Sequence, residues 1–154
     1  MLVVYDSIYG NTEQIARAIS SALGAGASAV RASDADASAL AGCGLLVVGS
    51  PTHGGRPSEA MKRFLGAIPG DGLKGVQVAA FDTRIQGSAK NPLVRAIVGF
   101  FGAAAPRIEK TLLARGGTRA APPEGFFVLD REGPLKAGEL ERAAAWAHNL
   151  KASP

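Results

Sequence analysis

The chain has 154 residues, 47% of them apolar and 19% charged, with a formal net charge of +4. Domains are most often about 100–150 residues long, so this length predicts one domain over 1–154 with a sizeable core, and the apolar share excludes a disordered chain. The one cysteine, Cys43, excludes a disulfide framework and a cysteine zinc site and reads as a reduced, small apolar residue.

In chain order, the first predicted element is a strand over 2–5 (Leu-Val-Val-Tyr). Met1 to Asp6 has no basic n-region and meets an acid at once, so it reads as this strand rather than as a signal peptide. No apolar run approaches the ~20 residues of a membrane span, and a cytoplasmic protein is expected. A helix follows over 12–23, with Ile15, Ile19, Ala22 and Leu23 on one face, Asn11 as N-cap with Gln14 three residues on, and Gly24 as the stop. A weaker strand lies at 29–31 and a short helical turn at 36–41. A strand over 45–48 leads to a helix over 57–68, begun by Pro57 and carrying Met61, Phe64, Leu65 and Ile68. A fourth strand covers 76–81. Asn91-Pro92 opens a helix of about three turns whose apolar residues (Leu93, Val94, Ile97, Val98, Phe100, Phe101) cover most of its circumference. Pro106 starts a further helical piece ending at Gly116-Gly117. Ala120 to Gly125 reads as a loop, 126–129 as the last strand, and 137–150 as the last helix.

These strands are continuously apolar rather than alternating, which marks a parallel sheet covered on both faces. Strand–helix alternation then predicts an α/β, doubly wound, five-stranded parallel sheet of order 2-1-3-4-5, with a ligand crevice at the carboxyl ends of strands 1 and 3. The charge is uneven. From Asp82 to Glu124, seven basic residues (Arg84, Lys90, Arg95, Arg107, Lys110, Arg115, Arg119) face three acids, so the whole excess lies there. It reads equally as steering toward an acidic partner or anionic ligand and as a solvated face.

Three loops leave the carboxyl edge. The first, Asp6-Ser7-Ile8-Tyr9-Gly10-Asn11-Thr12, joins a buried strand to a helix, where free backbone N–H groups and the positive end of the helix dipole make an anion site. Ser7, Asn11 and Thr12 add donors, and Gly10 permits close approach. Without a lysine, and with glycine spacing that fits neither G-x-x-x-x-G-K-[ST] nor G-x-G-x-x-G, the loop suits a phosphate held by neutral donors; an ordinary capped turn is the plainer alternative. The second loop, Gly49-Ser50-Pro51-Thr52-His53-Gly54-Gly55-Arg56-Pro57, is stiffened by two prolines while Gly54 and Gly55 leave two peptides free for positive φ. Such a wall suits a flat heteroaromatic ring. His53 reads more simply as an exposed loop residue than as a catalytic group, and with His148 it cannot make a metal site. The third, Phe81 to Ser88, offers Thr83 and Gln86 as donors, with Gly87 for close approach.

Ser7-Ile-Tyr-Gly-Asn-Thr12, Gly49-Ser-Pro-Thr-His-Gly-Gly55, Asp82 to Gly87 and the late stretch Phe126 to Trp146 together resemble the flavodoxin family over nearly the whole chain. The resemblance implies a flavodoxin-like fold and an FMN cofactor. Ser7, Tyr9, Gly10, Asn11 and Thr12 would hold the ribityl phosphate. Pro51, Thr52, His53, Gly54 and Gly55 would line one side of the isoalloxazine, and Thr83, Arg84 and Gly87 the other. A glycine peptide, at Gly54 or Gly55, would turn on reduction to accept N5–H. Two departures stand out. Neither ring loop carries Trp, Tyr or Phe beyond the strand-end Phe81, which leaves His53, Ile85 and Arg84 as substitutes, and the chain is basic where typical flavodoxins are acidic. Arg56 and Arg84 would then favour the reduced, anionic flavin, and FMN would be retained less tightly.

The leading expectation is an FMN-binding flavoprotein of electron transport with no catalytic residues of its own and a redox partner protein, possibly acidic. The alternatives are an FMN-dependent NAD(P)H:quinone oxidoreductase, whose pocket is often completed by a second subunit, and a flavin-free binding or regulatory domain. A phospho-acceptor receiver is disfavoured because strand 3 ends in Gly49-Ser50 rather than aspartate. Nucleic-acid binding is disfavoured because the basic segment lacks interleaved exposed aromatics.

Overall fold

The computed structural model describes residues 1–86, 91–93 and 102–151. Strands β1 (Leu2–Tyr5), β2 (Ser28–Arg31), β3 (Leu45–Pro51) and β4 (Gln77–Ile85) pair in parallel in the order β2-β1-β3-β4. The outer edge of β4 takes two short strands in parallel, β5 (Thr118–Arg119) on Gln77 and Val78, and β6 (Glu124–Val128) on Phe81 to Ile85. The expected order 2-1-3-4-5 holds, with its last position split in two. That strand begins earlier than the apolar run 126–129 announces, because Thr118 and Arg119 are exposed and leave no apolar signal.

Helices α1 (Asn11–Leu23) and α4 (Glu139–Lys151) cover one face, and α2 (Glu59–Ala67) and α3 (Ala104–Ala114) the other. The apolar runs divide by alternation. Val3, Tyr5, Leu45, Val47, Ala79 and Phe81 pack with Ile15, Ile19 and Trp146, while Leu2, Val4, Leu46, Val48, Val78 and Ala80 pack with Met61, Leu65, Ile108 and Leu112. Each fully buried Ile or Leu contributes about 1.5–3 kcal/mol, so both faces must be covered. No helix among the described residues is long and apolar enough to cross a membrane.

Several boundaries move. β3 runs on through Pro51, which the sequence places in a loop, and α2 begins at Glu59 behind Ser58 rather than at Pro57. Asn11 is the first residue of α1 rather than its cap; Gly10, at φ 90°, takes the cap position without a side-chain bond. β4 continues through Asp82, Thr83, Arg84 and Ile85, which the sequence places in a loop. α3 begins at Ala104, two residues before Pro106. The helix expected after Asn91-Pro92 lies almost wholly outside the described residues.

Candidate functional site

The loop after β1 is braced from both sides. The Asp6 amide donates to the Gly49 carbonyl at 3.1 Å, and Arg31 donates to the Ser7 carbonyl at 3.0 Å. Ser7, Asn11 and Thr12 are buried. The Gly10 amide donates to Ser7 Oγ at 3.1 Å, and its carbonyl accepts from the amide and the side chain of Gln14. The amides of Ile8, Tyr9, Asn11, Thr12 and Glu13 find no acceptor among the described residues. Five N–H groups without a partner at one helix terminus are a site for an anion. The nearby acid does not oppose it strongly. Glu13 is held by Arg17 and Arg31, each at 2.8 Å, and its carboxyl titrates below the usual range, chiefly through the Arg17 bond.

The loop after β3 makes a tight turn. His53 and Arg56 exchange two backbone hydrogen bonds of 3.0 Å across Gly54 (φ 55°) and Gly55 (φ 74°). Two successive positive φ values define a type I′ turn, which side chains with a Cβ tolerate poorly. A Cβ on Gly55 would also stand 3.3 Å from the Gly102 carbonyl oxygen. His53 is exposed, as expected. Behind the turn, Ser50 Oγ accepts the Ser58 amide at 2.9 Å, and Ser58 Oγ caps α2 by accepting from Met61 at 3.2 Å.

The end of β4 sends side chains to alternate faces. Thr83 reaches α1, where its hydroxyl lies 2.7 Å from that of Thr12. Asp82, fully buried, turns toward α3, accepting the Ala105 amide at 2.8 Å and pairing with Arg84 at 2.6 Å. Burial pushes its carboxyl above the usual range, against the pull of Arg84, the Ala105 amide and the Thr52 hydroxyl. Thr52 Oγ1 accepts the Ala104 amide at 3.0 Å. Thr52 from the cleft and the buried Asp82 thus cap α3, which has no side-chain cap of its own. The Arg84 guanidinium lies over Gly125, where a Cβ would come within 2.2 Å of it.

These segments meet in one cleft that is partly open to solvent. Ser7, Tyr9, Asn11 and Thr12 line it from the first loop, Pro51, Thr52 and His53 from the second, and Thr83 and Arg84 from β4. Gly10, Gly54 and Gly55 shape the loops without lining the cleft, and Gly87 lies outside the described residues. Ile85, named from the sequence as a substitute for an aromatic, lines it too, as do Ile8, Val128 and Arg131, which the sequence reading did not single out. Val128 ends the last strand and Arg131 follows it, and extending the carboxyl-edge rule to that strand would have found them. Phe81 does not face the cleft. It packs edge-on against Phe126 (6.0 Å) and Trp146 (6.3 Å), so Tyr9 is the one aromatic lining the cleft among the described residues.

The comparisons agree with this geometry. The family model Flavodoxin matches residues 3–146. The chain belongs to the flavodoxin family. Oxidised Flavodoxin 1 from Bacillus cereus superimposes with a TM-score of 0.77 at 17% identity, covering 99% of this chain and 97% of that one. Two-electron reduced Megasphaera elsdenii flavodoxin gives 0.69 at 22% identity, covering 98% and 99%. Rubredoxin oxygen:oxidoreductase from Desulfovibrio gigas gives 0.71 at 20% identity, covering 99% of this chain but 36% of that one. No curated protein sequence matches significantly.

Proposed function

We propose that the chain binds FMN in this cleft and acts as a cytoplasmic electron-transfer protein, a single domain over 1–154. The observation that carries the reading is the set of unpartnered amides at Ile8, Tyr9 and Asn11 to Glu13, beside the buried hydroxyls of Ser7 and Thr12. Uncharged donors there suit the phosphate, with Gly10 bending the loop. Pro51 to Gly55 suit one side of the ring, and Thr83, Arg84 and Gly87 the other. The Gly54–Gly55 turn supplies the peptide whose carbonyl can accept a flavin proton. FMN, when bound, supplies the redox chemistry, and the chain positions it and sets the charge around it.

Two sequence expectations are sharpened. Arg84 is paired with Asp82, so its field is largely that of a dipole, and Arg56 remains the exposed cation beside the ring loop, with no ion pair among the described residues. The basic excess also divides. Arg119 is bound to Glu109 at 2.7 Å, and Arg107 and Lys110 lie on the outer side of α3 as it descends from the cleft. Arg115 stands at the opposite edge of the sheet, its carbonyl accepting from Leu73. An acidic redox partner would reach the flavin past Arg56 rather than along α3.

Titration with FMN tests the reading. A yellow, stoichiometric complex is expected, and FMN at 100 times Kd should add about 2.7 kcal/mol of stability, or roughly 5–10 °C in Tm for a chain of this size. A protein that elutes colourless after refolding with excess FMN overturns it. The scarcity of aromatic cover over the cleft favours a second reading, an FMN-dependent NAD(P)H:quinone oxidoreductase with substrate over the ring. Rapid NAD(P)H oxidation by the pure holoprotein would select it.

A further inference from the structure

We propose that Arg131 is a cationic contact for the ligand's phosphate and makes the cleft prefer FMN to riboflavin; this rests on the FMN reading above. Arg131 sits at the tip of a hairpin that follows β6. The Leu129 amide donates to the Pro134 carbonyl at 2.9 Å, Gly133 to Asp130 at 3.0 Å, and Lys136 to Phe127 at 2.9 Å.

The hairpin is seated on the first residue of α1. Asn11 Nδ2 donates to the Glu132 carbonyl at 3.1 Å. Gly133, at φ 107°, lies so close that a Cβ would stand 2.6 Å from Asn11 Oδ1. The residue between Asp130 and Glu132 is thereby held beside the phosphate loop, and Arg131 lines the same cleft as Ser7, Tyr9 and Asn11.

Its charge is uncommitted. Arg17, Arg31, Arg84, Arg119 and Arg142 each pair with a carboxylate, whereas Arg131 has none within ion-pair distance among the described residues. Of the acids flanking it, Asp130 accepts the Arg131 amide at 2.7 Å, and Glu132 is exposed. The loop itself has no lysine or arginine, and Arg31, which donates to its Ser7 carbonyl, is committed to Glu13. A guanidinium at the rim supplies a counter-charge with fork geometry suited to phosphate oxygens.

The test titrates wild type, Arg131→Gln, Arg131→Lys and the control Lys136→Gln with FMN and with riboflavin, by flavin fluorescence at low and high salt. For Arg131→Gln, FMN affinity should fall roughly 5–30-fold, as for loss of a charge-assisted hydrogen bond, with riboflavin nearly unchanged and a smaller salt dependence. Arg131→Lys should retain most of the FMN affinity, and Lys136→Gln nearly all of it. Equal losses for both flavins, no loss for FMN, or an equal loss in Lys136→Gln would overturn the role of Arg131. Failure of wild type to bind either flavin would instead overturn the FMN reading.

Discussion

Gly49 shows how one missing side chain makes room for a ring in the core. It pairs in register with Phe81, and a Cβ there would fall 2.0 Å from the Phe81 ring. That ring cannot swing aside, because Phe126 and Trp146 close on it edge-to-face. Gly49→Ala should therefore cost about 2–4 kcal/mol by overpacking, read as a lower urea midpoint. A midpoint within error of wild type would show that the ring has room. The same residue marks a limit of sequence reading. Gly49 reads as the start of a proline-stiffened loop, while its demand comes from a partner 32 positions away, and Phe81, the strand-end aromatic, is spent in the core.

Among the elements, α2 and α3 begin in different ways, and in each a proline is taken for the start while the cap lies elsewhere. Ser58 caps α2 from the adjacent position and is itself bonded to Ser50 on β3. Ser58→Ala should cost about 1 kcal/mol by urea denaturation; a cost near zero would mean that solvent replaces the bond. The first amides of α3 are met by Thr52 and Asp82, from two other strands, so nothing beside Ala104 announces the helix, and Pro106 is taken for its start. The apolar runs give the three inner strands β1, β3 and β4 because burial on both faces leaves a local imprint. The exposed Thr118–Arg119 strand and the extension of β4 through the charged Asp82 and Arg84 leave none. The first two site loops are legible because each is one contiguous stretch. Val128 reaches the cleft only because β6 pairs with β4, and Arg131 only because the hairpin beyond β6 is seated on Asn11.

For the whole molecule, pH dependence is shared by carboxylates that act in opposite senses. Glu139 accepts from the Phe127 amide at 2.7 Å and from Arg142, tying α4 to β6. Burial pushes its carboxyl up, but Arg142 and the Phe127 amide win and hold it below the usual 4.5. Its contribution is therefore present above pH 4.5 and lost as pH falls below it. Asp82, raised by burial, does the reverse, and folding weakens as pH rises through its range. Glu139→Gln should cost about 1 kcal/mol at neutral pH, discounted for the partly exposed Arg142, with the difference from wild type closing in acid. A difference independent of pH would show that the carboxylate charge contributes nothing.

The paired hydroxyls of Thr12 and Thr83, 2.7 Å apart, share one proton between two oxygens, so only one of them can be donor to the other. An anion that took the Thr12 hydrogen would leave Thr83 as the donor of that one bond, so occupancy of the first loop would fix the direction of a hydroxyl on the fourth strand with no backbone atom having to move.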